Sequence, residues 1–109
     1  MRVIFATCSS DEAEALASRL VEERLVGCVN LLPGARSIYR FEGRVCRETE
    51  VVMWMETTDE LAAAAAARLR ALHSYRVPKI VVFEPERCDA DYGAWLAAET
   101  GAPAETERP

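Results

Sequence analysis

No run in this sequence approaches the roughly 20 consecutive apolar residues of a membrane-spanning helix, so a membrane is not an expected partner. A basic surplus is missing too. Thirteen Lys and Arg stand against eighteen Asp and Glu, a formal net charge of -5. A duplex-binding module draws most of its affinity from neutralising phosphates, so nucleic acid is not expected either. The four cysteines, Cys8, Cys28, Cys46 and Cys88, lie 20, 18 and 42 residues apart with no C-x-x-C pair. That is neither a zinc-ribbon spacing nor a disulfide scaffold, and it implies free thiols in a reducing, cytoplasmic setting. The opening Met-Arg-Val-Ile-Phe-Ala-Thr has too short an apolar run for a signal peptide. There is no G-x-S-x-G, P-loop or G-x-G-x-x-G. His73 is the one histidine, and spacing alone supplies it with no nucleophile, orienting group or oxyanion hole, so no catalytic residue is expected.

What is present is the balance of a compact domain: half the 109 residues are hydrophobic and 28% are charged. Residues 2–7 (RVIFAT) read as a buried strand. Ser9 and Glu12 form a capping box for a helix with Ala13, Leu16, Ala17, Leu20 and Val21 on one face, ended by a left-handed Gly27. Residues 28–40 and 45–57 read as two strands joined through Phe41-Glu42-Gly43-Arg44, with a bulge or edge at Pro33-Gly34. A second capping box, Thr57 to Glu60, precedes an alanine-rich helix whose inner face carries Leu61, Ala65, Leu69 and Leu72. Residues 77–84 read as a fourth strand, and Asp89 or Asp91 caps a last helix with Tyr92, Trp95 and Leu96. The order is βαββαβ plus a C-terminal helix, an α+β, ferredoxin-like antiparallel sheet of order 4-1-3-2 with a long β2–β3 hairpin. Residues 1–100 make one domain, and 101–109 read as a disordered tail.

The strands carry an argument about assembly. Two helices cover one sheet face, so a monomer's strands should alternate apolar and polar. Val51 to Met55 and Ile80 to Phe83 are instead apolar on both faces, and Trp54 reads as core. The first strand spans about 20 Å while each hairpin arm reaches about 40 Å, at about 3.3 Å per residue. An overhanging hairpin and a doubly apolar sheet both predict a closed cyclic oligomer.

The blocks Cys-Val-Asn-Leu-Leu-Pro-Gly at 28–34, Ser37-x-Tyr39, Gly43 and His73-x-Tyr75 with Pro78, in unbroken order over about residues 3–100, resemble the CutA divalent-ion tolerance family. The resemblance implies a homotrimer, a link to tolerance of copper and other divalent ions, and an architecture like that of the PII signalling trimers. The sequence departs from the family pattern at Phe41 (usually Trp), Glu56 (Lys), Ser74 (Pro), and Arg76 and Lys79 (both Glu). Strand direction puts Cys8, the hairpin and His73 at one end of the sheet and Cys28 at the other. Thiolate and imidazole suit copper, so Cys8 with His73 is the candidate metal pair; the alternative is a metal-free thiol beside a histidine capping a helix. A second reading is a PII-like small-ligand sensor, its intersubunit cleft lined by Tyr39, Glu56, His73, Tyr75, Arg76 and Lys79. A third is a structural trimer without ligand. Cys28 reads as a small buried hydrophobe; Cys46 and Cys88 are given no role.

Overall fold

The computed structural model describes residues 1–102. It contains β1 (Arg2–Cys8), α1 (Ala13–Glu22), β2 (Cys28–Phe41), β3 (Arg44–Thr57), α2 (Ala62–Leu72), β4 (Ile80–Phe83) and α3 (Ala90–Glu99). The strands form one antiparallel sheet in the order β2-β3-β1-β4, as the connection rules predict. In β1, Ile4, Ala6 and Cys8 point toward the helices; Met55, Met53 and Val51 lie opposite them in β3. These join Leu16, Leu20, Ala65 and Leu69 in the buried core. Alanine at 62 and 65 leaves no bulk between α2 and the sheet, so the helix packs close.

The hairpin turn needs left-handed backbone at two successive residues, and Glu42 (φ 50°) and Gly43 (φ 78°) provide it. The pairing slips between Leu32 and Ala35, the bulge anticipated at Pro33-Gly34, where Gly34 takes φ 81°. Beyond the bulge, residues 35–41 pair only with residues 44–50, past the last β1 partner of β3 at Val51. The hairpin therefore overhangs, and the molecule is 56 Å long.

Several local expectations are corrected. Neither capping box forms across a helix start. Ser9 lies in a turn before α1 and its hydroxyl donates to the Glu12 carboxylate, while the Thr57 hydroxyl donates to the Leu25 carbonyl at 2.6 Å. After α1 the left-handed residue is Arg24 (φ 61°), not Gly27. The Arg24 guanidinium donates to the Gly101 and Ala98 carbonyls, and Gly101 N–H donates back to the Arg24 carbonyl at 2.8 Å. Gly101 is thus anchored to the body, and residues 103–109 of the expected tail lie outside the described residues. β4 begins only at Ile80, because Pro78 has no N–H for a ladder. Asp89 is the α3 cap, accepting from Tyr92 N–H.

Trp54 is not core within its own chain. It follows Met53 and precedes Met55, so alternation turns it to the opposite, open face, where it is 41% exposed. Leu32, Val81 and Phe83 are exposed with it, an apolar surface that two helices on the far side cannot reach. Cys28, expected to be buried, is half-exposed at the start of β2 opposite Glu56.

Candidate functional site

Where the hairpin leaves the body of the sheet, the segment after α2 folds over its open face. Between them lies a groove of about 730 Å³ whose walls include Tyr39, Glu48, Glu50, Tyr75, Arg76 and Lys79. Pairing explains the grouping. Ala35 lies opposite Glu50, Ser37 opposite Glu48 and Tyr39 opposite Cys46, so Glu48, Glu50 and Tyr39 share one face. The Tyr39 hydroxyl donates to Glu48 at 2.7 Å, and the Tyr75 hydroxyl donates to Glu50 at 2.8 Å. The Tyr39 phenol is pushed up to about 12, chiefly because its proton is held by Glu48. Burial and then Glu50 push the Tyr75 phenol still higher. Both phenols are fixed donors, leaving carboxylate lone pairs for the groove.

Two cationic side chains also line the groove. The Arg76 guanidinium bonds Glu42 at 3.1 Å and sits 5.4 Å from the Phe41 ring centre. Lys79 Nζ lies 5.3 Å from the ring centre of Phe5, a residue of the open face. The departures at Phe41, Arg76 and Lys79 thus fall in one place.

Four of the five expected ligand-binding residues, Tyr39, Tyr75, Arg76 and Lys79, come together here. Glu56 does not. It pairs with Cys28 and Val3 at the other end of the sheet, is buried, and accepts from Tyr92 of α3 at 2.8 Å. The buried carboxylate at the groove is Glu50, which sequence reasoning missed together with Glu48. A signal existed: two acids two residues apart in a strand must share a face.

The metal pair is brought to one end of the sheet, but its donors do not fit copper. Cys8 is fully buried on the helix side, and burial, reinforced by Glu12 and Glu50, raises its thiol to about 11, against the thiolate a metal needs. His73 caps α2 and uses both ring nitrogens: Nε2 lies 2.8 Å from the Thr7 carbonyl, and Nδ1 accepts Tyr75 N–H at 3.1 Å. Among the described residues, no three of His, Cys, Asp and Glu stand together as a metal site. No described helix is long and apolar enough to cross a membrane.

A four-stranded antiparallel sheet, two helices on one face, an overhanging hairpin and an added C-terminal helix define a ferredoxin-like α+β protein of the CutA fold. The chain belongs to the CutA1 divalent ion tolerance protein family, which matches residues 2–99. It is 40% identical over 100 residues to the divalent-cation tolerance protein CutA of Thermus thermophilus, spanning 91% of this chain and 97% of that one. The crystal structure of CutA from Xylella fastidiosa superposes with a TM-score of 0.88 at 36% identity, covering 92% of this chain and 97% of the other. The structure of the PII-like protein CutA from Nostoc superposes with a TM-score of 0.89 at 33% identity, covering 93% and 98%.

Proposed function

We propose that this protein serves divalent-cation tolerance as a cytoplasmic homotrimer that binds a small charged ligand in the groove between the hairpin and the segment after α2. The observation that carries this reading is the groove itself. Its volume of about 730 Å³ falls in the usual range for small-molecule sites. Two phenol–carboxylate pairs line it together with Arg76 and Lys79, which suits a zwitterion, with a cationic group toward Glu48 and Glu50 and an anionic group toward Arg76 and Lys79. The exposed Trp54, Val81 and Phe83 and the overhanging hairpin support assembly through the open face, with residues 1–100 as the assembling unit. The likeness to a PII-like relative supports the small-ligand reading. Binding rather than catalysis is favoured because both ring nitrogens of His73 are committed to backbone groups.

Calorimetric titration with a panel of free amino acids tests the reading. At least one should bind, and Tyr75→Phe and Arg76→Ala should each weaken it about tenfold, the loss of one charge-assisted contact. Failure of the whole panel to bind the assembled protein would contradict it.

A further inference from the structure

His73 is the hinge-pin of the groove's inner wall. Its ring is buried against β1, with Cys8 and Glu12 nearby and the Tyr75 ring 4.6 Å away. Tyr75 N–H donates to Nδ1, so Nδ1 carries a lone pair and no proton. Nε2 faces a carbonyl oxygen, which only accepts, so Nε2 carries the proton and donates it to Thr7. Two backbone groups therefore specify one neutral tautomer. Through that imidazole the β1 backbone grips the backbone of Tyr75, whose hydroxyl ends on Glu50.

We propose that His73 is a positioning residue, a neutral Nε2–H imidazole that fastens the segment after α2 to β1 and so sets Tyr75 against Glu50. A metal ion at Nδ1 would displace Tyr75 N–H, and one at Nε2 would require the proton removed and the Thr7 contact broken. An ordered Tyr75 wall and metal ligation by His73 exclude one another. The functional meaning of this pin rests on the groove being the binding site; the pin itself does not.

The test needs no ligand. The full-length protein is labelled at the histidine nitrogens and at the tyrosine Cζ carbons and followed by NMR. The wild type should show the Nε2–H tautomer, and one equivalent of zinc(II) should leave both nitrogen signals in place. Tyr75 should resist ionisation to higher pH than an ordinary phenol. In His73→Phe its titration should move back toward the ordinary range while Tyr39 and Tyr92 keep theirs. His73→Gln, whose amide can both donate and accept, should retain part of the wild-type behaviour. An Nδ1–H tautomer, a zinc-induced shift of either nitrogen, or an unchanged Tyr75 titration in His73→Phe would overturn the proposal. Should His73→Phe not fold, the tautomer and zinc measurements on the wild type decide it. Failed ligand binding with the predicted tautomer would reject the groove's function and leave the pin standing.

Discussion

Glu12 and Ser74, 62 residues apart, hold each other at the corner where α1 begins and α2 has ended: the Ser74 N–H donates to Oε1 at 3.2 Å and its hydroxyl donates to Oε2. The Ser9 hydroxyl adds a third donor at 3.3 Å. Burial alone would push the Glu12 carboxyl up. The hydrogen bonds from the Ser74 side chain and backbone and from the Ser9 hydroxyl outweigh it and hold the group below its ordinary value. A proline at 74 has neither donor, so the departure there is matched by a contact proline cannot make.

A depressed folded-state value fixes the sign of the pH dependence. The Glu12 contribution is complete above the ordinary carboxylate value of about 4.3 and disappears as pH falls through the folded one. Glu12→Gln should therefore cost about 1 kcal/mol at pH 7 and progressively less below about pH 4. Thermal melts of the two proteins across that range check it.

Gly27 is required by proximity and not by its dihedral angles. A Cβ there would stand 2.4 Å from Leu96 Cδ1, and Leu96 is itself buried. Gly27→Ala should destabilise by about 1–3 kcal/mol, the usual cost of overpacking. Leu96→Ala in the same chain should recover part of that; denaturant midpoints of the single and double variants measure it.

All three tyrosines are pushed up: Tyr39 chiefly by Glu48, Tyr75 and Tyr92 first by burial and then by Glu50 and Glu56. A raised folded-state value contributes stability that is whole below the unfolded phenol value of about 10 and is lost as pH rises through the folded value. Absorbance titration should show no ordinary phenol below about pH 11, where an ordinary phenol is already mostly ionised. Glu48→Gln should return one, Tyr39, toward normal.

The thiols should separate by burial. Cys8 is fully enclosed and raised to about 11, while Cys28, Cys46 and Cys88 are partly exposed. Iodoacetamide at pH 8 should modify Cys8 last and only on unfolding, as peptide mapping by mass spectrometry would show.

The sheet order, the bulge, the hairpin turn and the overhang were legible because each follows from periodicity, from Pro-Gly and Glu-Gly, or from strand length. Helix starts were less so. Ser9 and Thr57 carry the right residue types, but a turn and a cross-chain carbonyl claimed their hydroxyls. At the site, strand direction put the hairpin at Tyr39 and the segment at His73 and Tyr75 at one end of the sheet, where the groove lies. It could not show that His73 spends both nitrogens on backbone, since that depends on a contact 66 residues away. Glu56 was grouped with the groove residues as a departure from the family pattern; its register opposite Cys28 puts it at the other end of its own chain's sheet.

The proposed assembly rests on the exposed apolar sheet face and the overhanging hairpin. Native mass spectrometry at micromolar concentration tests it most directly. A complex of three chains is expected, converted to single chains by Trp54→Arg, which places a charge on the open face. A wild-type protein that runs as one chain under those conditions would contradict it.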